Sequence, residues 1–436
     1  MIAPILIWKD TDKATRERLL RRSEEDISQV EASVSTILQE VREEGDLALC
    51  RHTARFDFPG SHPAGLWAQT SEFTAAEQSL APGVKAALEY AISNIRTFHK
   101  SQVPQAMQMV EVRPGLLAGE RHVPVDRVAL YVPRGRGSFP SMLYMLAIPA
   151  VLAGVGEIIV CTPPNQNGSI DPACLYAARV CGVSRVLRAG GAQAIAALAY
   201  GTASVPKVDK IIGPGSAYVT AAKRLVSGLV DIGLPAGPSE SLLIADDSAD
   251  PRRVAFDFLV EAEHGADSSA LLLTWSTSFA KSVQAELEAI IPTVPGQRQD
   301  FIRQVLSNYG AIVVMENERA AVALSNEFAP EHLMIQTASP WDTLAGITHA
   351  GEILLGTNTP FSAANYLTGP NAVLPTGAKA RTWSAVSVRD FMHTSSVIQA
   401  SSGALAEMAP HVVALADYEG FHCHARTIRE RFPGKF

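Results

Sequence analysis

The sequence predicts an α/β protein with two parallel sheets, each covered by helices, and with helical segments at both ends of the chain. Three observations lead to this fold class. The 436 residues are enough for two to four domains. Apolar residues make up 47% and charged residues 19%, which is a globular composition. From about residue 121, short β-rich runs alternate with helical stretches, as in a parallel sheet.

The first part of the chain, up to about residue 110, is predicted to be mostly helical. Apolar residues recur there at spacings of three and four, with charged residues between them. The clearest examples are residues 33–51 and 75–99.

Two successive series of strands and helices follow. In the first, strands are expected at 128–132, 157–161, 185–189 and 207–212, and helices at 138–154, 172–181, 192–200 and 217–229. In the second, strands are expected at 242–245, 270–274, 311–314 and 333–336, and helices at 251–264, 277–291 and 316–328. The two series share no sequence repeat. The C-terminal segment is predicted to be helical over 404–416, with an interruption at Pro410.

Composition excludes several classes of protein. The 37 Lys and Arg against 44 Asp and Glu give a net charge of −7 without any long basic block, which excludes nucleic acid as a partner. Five scattered cysteines without a CxxC pair indicate a reducing compartment. The first residues do not resemble a signal peptide, so a cytoplasmic protein is expected. Residues 141–156 are apolar but shorter than the ~20 residues of a membrane span, and they are predicted to form a buried helix.

Three turns next to predicted strands could contact a ligand. Gly213-Pro-Gly215-Ser216 opens a helix whose free N–H groups could bind phosphate, but it lacks the third glycine of a GxGxxG fingerprint; the alternative is a plain tight turn. Gly190-Gly191-Ala-Gln193 has the same two interpretations. Ser239 in Ala236-Gly-Pro-Ser-Glu240 could touch a ligand, although turn chemistry alone also explains this segment.

Two pairs of titratable residues could carry chemistry. Glu261 and His264 share one face of a predicted helix and could bind one metal ion; the alternative is a helix C-terminus capped by Gly265. Glu331 and His332 precede an apolar strand and could supply two proton-transfer groups for oxidation of an alcohol; the alternative is a polar strand entry. The segment 421–424 places further possible ligands close together, as a solvated tail also would.

The order of these motifs resembles the histidinol dehydrogenase family over nearly the whole chain. Each matching segment is short, but their collinearity is specific. The segments are Val41-Arg-Glu-Glu-Gly-Asp46, Ala129-Leu-Tyr-Val-Pro133, Gly190-Gly-Ala-Gln-Ala-Ile-Ala-Ala-Leu198, Ser204-Val-Pro-Lys-Val-Asp209, Ala236-Gly-Pro-Ser-Glu240, Ala262-Glu-His-Gly265, Pro330-Glu-His332 and Val373-Leu-Pro-Thr376.

The resemblance implies two Rossmann-like domains, an intertwined homodimer with a shared active site, NAD⁺, and one divalent metal ion per subunit, usually Zn²⁺. It implies oxidation of L-histidinol to L-histidine in two hydride transfers through an aldehyde, a step of histidine biosynthesis. The expected regions are an N-terminal arm (1–25), a first α/β domain with the catalytic and metal residues (26–130 and 240–386), an NAD-binding domain (131–239) and a dimer-forming helical tail (387–436).

The resemblance also implies a role for individual residues. His332 matches the base that accepts the alcohol proton, and Glu331 matches the group that activates the water added to the aldehyde. Tyr131, Gln193 and Ser216 fall at the NAD contacts. The metal ligands would be Glu261, His264, Asn365 and His424. The substrate contacts would be these four together with Ser239, His332 and Glu419, and Glu419 and His424 would reach the site of the partner subunit.

The departures from the family pattern lie around the metal, the substrate and the cofactor. Glu261 stands where the family has Gln and Asn365 where it has Asp, so the charge of the ligand set is unchanged and still suits zinc. Phe361 replaces an acidic residue, Ala372 a His, and Ser216 an Asn.

Three hypotheses follow from this pattern. The chain oxidises L-histidinol with NAD⁺, or it is a paralogue that oxidises a different small alcohol such as a sulfonated or amino diol. The third is a non-catalytic homologue without metal, against which the retained Glu331, His332, His264 and His424 argue. No acidic residue can be placed on a ribose hydroxyl, so the residues alone leave NADP open beside NAD.

Overall fold

The computed structural model describes residues 3–22, 27–134 and 137–435. Within these ranges the strands form three sheets. The strands are β1 (Ile5–Ile7), β2 (Met107–Arg113), β3 (Leu116–Pro124), β4 (Arg127–Tyr131), β5 (Glu157–Thr162), β6 (Arg185–Arg188), β7 (Lys210–Ile212), β8 (Glu240–Ala245), β9 (Ser269–Thr274), β10 (Gly310–Val314), β11 (His332–Gln336), β12 (Glu352–Leu355) and β13 (Met392–Ala400).

The helices cover the sheets and form both ends of the described chain. They are α1 (Lys13–Arg21), α2 (Ser28–Glu44), α3 (Asp46–Phe56), α4 (Thr70–Ser79), α5 (Pro82–Lys100), α6 (Pro140–Ala153), α7 (Pro172–Cys181), α8 (Gly191–Tyr200), α9 (Ala217–Val226), α10 (Pro251–Val260), α11 (Thr277–Ile290), α12 (Gly296–Asn308), α13 (Glu318–Phe328), α14 (Pro340–Leu344), α15 (Phe361–Tyr366), α16 (Ser402–Tyr418) and α17 (His422–Arg429). A 3-10 turn, Glu261–Glu263, extends α10.

The chain divides into two compact units. The first comprises Met1–Gln102 and Val125–Phe391, and the second comprises Val103–Pro124 and Met392–Phe436. Both parallel sheets belong to the first unit, so these divisions do not coincide with the expected boundaries at 130, 239 and 386.

The larger sheet of the first unit has six parallel strands in the order β1-β10-β9-β8-β11-β12. Its four central strands are buried along their whole length and consist mainly of Leu, Ile, Val and Ala. Such continuous apolar runs are expected where helices cover both faces of a sheet. Two buried apolar clusters, one on each face, form the core of this sheet.

The smaller sheet has four parallel strands in the order β6-β5-β4-β7. Helices α2, α3, α8 and α9 contribute to the apolar cluster that packs against it. The two parallel sheets, together with the helices near both chain ends, confirm the predicted α/β fold class.

The second unit contains a three-stranded antiparallel sheet, β13-β3-β2, that was not predicted. Strands β2 and β13 are largely exposed and β3 is half-buried. All three mix polar with apolar side chains, so they lack the buried apolar runs that mark the central strands of the larger sheet. The tail expected to be helical over 387–436 therefore contains strand β13 and is helical from α16 onward.

Helix α16 continues through Pro410, so the predicted interruption was also wrong. Ala409 and Val413 of α16 pack with Ala425 and Ile428 of α17 in one apolar cluster. This packing keeps the helix intact on both sides of the missing N–H group.

The apolar segment expected to form a buried helix is α6. Most of its side chains are buried, including that of Pro149, which lies inside the helix. Among the helices of the described residues, none has both the length and the apolar character needed to cross a membrane.

The buried Lys223, in α9 beside the smaller sheet, makes the free energy of unfolding depend on pH. Its Nζ is buried and donates a 3.0 Å hydrogen bond to the carbonyl of Gly213. Burial lowers the pKa of Lys223 from 10.5 to about 8. Between these two values the unfolded chain binds more protons than the folded chain, so a rise in pH stabilises the fold.

We expect the free energy of unfolding of the wild type to rise by up to about 3 kcal/mol relative to Lys223→Met between pH 8 and 10.5. Urea unfolding of both proteins across this range measures the difference. The exposed Lys207→Met is the control and should follow the wild type. A constant difference between wild type and Lys223→Met would show that Lys223 has an ordinary pKa.

Candidate active site

His332 is the first residue of β11, which lies between β8 and β12 in the larger sheet. It therefore lies at the edge of the sheet where the parallel strands begin. Its side chain is buried, and Nδ1 lies 2.6 Å from Oε1 of Glu352. Glu352 opens β12 and is paired with His332 in the parallel register. A carboxylate on Nδ1 fixes the tautomer and ring orientation, so Nε2 is available for proton transfer. Sequence analysis missed Glu352, because only the strand pairing brings it opposite His332.

Three carboxylates surround the His332 imidazole. Nε2 lies 3.7 Å from Oε1 of Glu331 and 4.0 Å from Oε1 of Glu261, whereas Nδ1 is in contact with Glu352. Burial lowers the pKa of His332, but the carboxylates outweigh it and raise the pKa to about 10. Burial raises the pKa of Glu331 to about 8; His332 opposes this shift, and the charges of Glu261 and Glu240 add to it. This excess of buried negative charge favours a further cation in the site.

Glu261, in the 3-10 turn after α10, joins His264 and Asn365. Its Oε2 lies 3.2 Å from Nδ1 of His264, and its Oε1 accepts a 2.8 Å hydrogen bond from Nδ2 of Asn365. Burial raises the pKa of Glu261, but the charges of His264 and His332 and the hydrogen bond from Asn365 lower it below its ordinary value. The carboxylate is therefore ionised at neutral pH.

Glu261, His264 and Asn365 fit a divalent metal ion. Among the described residues, Oδ1 of Asn365 is buried without a hydrogen-bond partner, an arrangement that a ligand commonly completes. Carboxylate, imidazole and amide oxygen are all ligands that such ions accept. The described parts of the chain bring no three His, Cys, Asp or Glu side chains together as a metal-binding group. His424 and Glu419 are exposed residues of the second unit.

The substituted ligand positions can be tested by exchanging them. Because a hydrogen-bond partner of a metal ligand alone is worth ~10–100-fold in affinity, we expect Glu261→Ala to lose at least that much metal affinity. Glu261→Gln with Asn365→Asp should bind metal more tightly than Glu261→Gln alone, since one carboxylate is restored. Metal titration, followed by elemental analysis, gives the affinities, with the exposed Glu263→Gln as control. Strictly additive effects of the two substitutions would show that the positions do not share one ion.

These groups line a single pocket of about 150 Å³. Ser239, which immediately precedes β8, lies on its polar side with Glu261, His264, Glu331 and His332. The rest of the lining is mainly apolar and includes Phe139, Met142, Met145, Val373 and Leu374.

Two departures from the family pattern lie at this pocket. Ala372 lines it directly, so a small methyl group stands at the position of an imidazole. Phe361 is fully buried and packs edge-to-face against His332, with 5.9 Å between the ring centroids. The region around the His332 imidazole is therefore more apolar than the family pattern implies.

A larger cavity of about 650 Å³ lies at the carboxyl ends of the smaller sheet. The predicted cofactor residues Gln193 and Ser216 line it. Gly191, at the start of α8, has φ +64°, and a Cβ there would lie 2.7 Å from Oε1 of Gln193. Tyr131 is buried, and its Oη accepts a 3.0 Å hydrogen bond from the Gly191 amide. Tyr131 therefore stabilises the glycine turn at the start of α8 through this hydrogen bond.

Sequence analysis missed further residues of this cavity. Phe56 and Tyr218 line it with exposed fractions of 54% and 47%, and exposed aromatic rings in a cavity suit stacking of a base. Asp57 follows Phe56, and burial raises its pKa to about 6. Phe56 and Asp57 lie at the end of α3, far along the chain from the glycine turns, so no local motif connected them with the cavity. The size and lining of the cavity fit a dinucleotide.

A family model described as histidinol dehydrogenase matches residues 20–432. The chain belongs to the histidinol dehydrogenase family. It is 47% identical over 414 residues to the histidinol dehydrogenase of Synechocystis sp., with 95% of each chain covered. It is equally similar, at 47% over 424 residues, to a histidinol dehydrogenase homolog of Cereibacter sphaeroides, with 97% of this chain and 96% of the relative covered. The crystal structure of histidinol dehydrogenase from Elizabethkingia anophelis superimposes with a TM-score of 0.93, at 33% identity and 98% coverage of both chains.

The resemblance inferred from the ordered motifs is thereby confirmed. Membership of the histidinol dehydrogenase family makes the chain an oxidoreductase of that family. The relatives named histidinol dehydrogenase and those named histidinol dehydrogenase homolog reach the same level of identity, so similarity alone does not select a substrate.

Proposed function

We propose that the protein catalyses the NAD-dependent, metal-assisted oxidation of a small polar alcohol through its aldehyde to the acid. One observation carries this proposal: Glu331 and His332, the latter held by Glu352, line the same small pocket as Glu261, His264 and Asn365. A positioned base, a second proton acceptor and a set of metal donors are the groups that a two-step alcohol oxidation requires.

His332 serves the first step. The three carboxylates raise the pKa of His332 to about 10, and the positive charge of a bound metal ion would lower it again. In that neutral state, with Nδ1 held by Glu352, Nε2 accepts the proton of the alcohol while hydride leaves the carbon that bears the oxygen. Phe361 keeps one side of the ring dry, which strengthens its electrostatic interactions with the neighbouring carboxylates.

Glu331 serves the second step. Its Oε2 is fixed by a 2.8 Å hydrogen bond from the Glu240 amide, and its Oε1 lies on the side of His332. This carboxylate accepts a proton from the water that adds to the aldehyde. Its raised pKa brings it close to the range in which a general base is efficient.

The electron balance requires two hydride acceptors for each alcohol. RCH₂OH, H₂O and two NAD⁺ give RCOO⁻, two NADH and three H⁺. When bound, a metal ion at Glu261, His264 and Asn365 would supply a Lewis acid for the alcohol oxygen, and NAD⁺ in the larger cavity would supply the hydride acceptor.

The pocket favours a cationic or neutral substrate. Its described lining contains no Lys or Arg, whereas Glu261 and Glu331 make it acidic. An amino alcohol such as L-histidinol is therefore a better match than a sulfonated diol, whose anion would face carboxylates. Two departures from the family pattern favour a second candidate, an amino diol or another small amino alcohol. Ala372 changes the wall of the pocket, and Phe361 changes the packing against His332.

The proposal includes a homodimer in which Glu419 and His424 of one protomer complete the site of the other. This part rests on the family resemblance, in which the C-terminal tail serves the partner subunit. His424 of the partner protomer would then help Glu261, His264 and Asn365 to hold Zn²⁺.

A panel of alcohols tests the proposal. L-histidinol, an amino diol and a sulfonated propanediol are each incubated with the zinc-loaded protein and either NAD⁺ or NADP⁺. We expect NADH formation with an amino alcohol and an acid as the final product in mass spectrometry. If the protein oxidises none of these alcohols, the proposal is contradicted.

A further inference from the structure

Arg22 follows α1 and carries its guanidinium group into the interior of the first unit. The residue is only 6% exposed. Its φ of +61° is one that residues other than glycine rarely adopt. Such a backbone conformation persists only where surrounding contacts hold it, so the contacts of the Arg22 side chain are informative.

Those contacts reach a residue 218 positions away. Nη1 lies 3.0 Å from both carboxylate oxygens of Glu240, the first residue of β8. Nη2 donates a hydrogen bond to the carbonyl of Phe328, and the guanidinium carbon lies 3.6 Å from the centroid of the Phe328 ring. Both partners of the ion pair are almost fully buried.

Glu240 connects this ion pair with the proposed active site. Its backbone N–H donates the 2.8 Å hydrogen bond that fixes Oε2 of Glu331. Its side-chain Oε1 accepts a 2.7 Å hydrogen bond from the Gly377 amide. Glu240 thus anchors the carboxylate of Glu331 through its main chain while its own carboxylate is held by Arg22 and Gly377.

Loss of the Arg22 charge would leave Glu240 buried without its ion-pair partner. Breaking a buried pair by removing one member is costly, so the remaining carboxylate turns away, takes up a proton or admits water. Because Glu240 is the first residue of β8, a side chain that turns away or admits water shifts the start of the strand, and with it the N–H group that holds Glu331.

We infer that Arg22 is a positioning residue that acts through Glu240 to hold the Glu331 carboxylate in the orientation needed to activate water for aldehyde oxidation. The inference rests on the proposed function for the step that it names. The N-terminal arm thereby contributes to the second half of the reaction without touching the substrate.

The test compares Arg22→Met, Arg22→Lys and the exposed neighbour Arg21→Met, each zinc-loaded and assayed below its melting temperature. The aldehyde is supplied directly with NAD⁺ for one set of assays, and the first hydride transfer from the alcohol is followed in single turnovers for the other. We expect Arg22→Met to lower kcat for the aldehyde ~10–100-fold, the cost of a misplaced group, with KM and the first hydride transfer within about twofold of wild type. Arg22→Lys should recover part of the loss, and Arg21→Met should behave as wild type.

A purely structural role would give a different result. In that case Arg22→Met would melt earlier, but its folded fraction would oxidise alcohol and aldehyde at wild-type rates, and the inference would be overturned. Equal losses in both half-reactions would overturn it as well. If Arg22→Met does not fold, Glu240→Gln carries the same test, because it removes the charge of the pair and keeps the shape.

Failure of the proposed function is distinguishable from failure of this inference. A wild-type protein that oxidises neither alcohol nor aldehyde contradicts the proposed function alone. The crystal structure of Arg22→Met, or of Glu240→Gln, then decides about Arg22. We expect Oε2 of Glu331 to leave the Glu240 amide, and an unchanged contact of 2.8 Å would overturn the inference.

Discussion

His332→Asn lowers the turnover of the zinc-loaded protein by about 100- to 10,000-fold, the usual worth of a positioned general base. The Asn side chain can still donate a hydrogen bond to Glu352, so the β11–β12 edge of the sheet stays intact. Affinity for NAD⁺ should change little, because the cofactor cavity does not include His332. Steady-state kinetics with the best alcohol of the panel and NAD⁺ titration by fluorescence measure the two quantities.

The matched control is His62→Asn, an exposed histidine of the same unit that lines neither the pocket nor the cofactor cavity. It should leave turnover unchanged. Wild-type turnover of His332→Asn at neutral pH would remove His332 from the mechanism and leave Glu331 as the remaining candidate base.

Mixed dimers of His332→Asn and His424→Ala regain activity that neither variant has alone. In the proposed dimer, each heterodimer has one damaged site with both substitutions and one intact site with neither. Random exchange makes half of the dimers mixed, so about a quarter of wild-type activity should return. Refolding or subunit exchange of equimolar variants, followed by the alcohol assay, measures this recovery.

Differently tagged protomers show whether mixed dimers have formed. In the control mixture, His411→Ala, at an exposed position of α16, replaces His424→Ala. Half of the sites in that mixture should be active, whether or not the subunits exchange. Mixed dimers that form and remain inactive would mean that the C-terminal tail serves its own protomer.

Local patterns were sufficient for the parallel sheets but not for the antiparallel one. Buried strands such as β8 and β11 carry continuous apolar runs, which the sequence displays directly. The exposed strands β2 and β13 depend on pairing with β3, a long-range contact that leaves no such run. The predicted helix at 33–51 is in fact α2 and α3, separated at Gly45, whose φ of +62° ends the first helix.

The same distinction holds for the candidate site. Motif order led to Glu331 and His332, and the structure places both at one pocket with Glu261 and Asn365. Glu352 could not be found in this way, because it belongs to no motif and meets His332 only through strand register. The contributions of Arg22, Phe56 and Asp57 likewise depend on tertiary contacts between distant segments.

The small pocket lies at the amino ends of the strands in its sheet, and the larger cavity lies at the carboxyl ends of the strands in its own sheet. The two sites therefore favour ligands of opposite charge. The pocket lies at the amino ends of β8 and β11, where α10 and α13 end, and the carbonyl of Val260 at the end of α10 already faces Nδ1 of His264 at 3.1 Å. The cofactor cavity lies where α8 and α9 begin. Helix macrodipoles are negative at their C-termini and positive at their N-termini. Under the proposed function, a metal ion and a substrate ammonium group would be drawn to one edge and a diphosphate to the other. This separation of charge would oppose binding of the cofactor's phosphates in the substrate pocket.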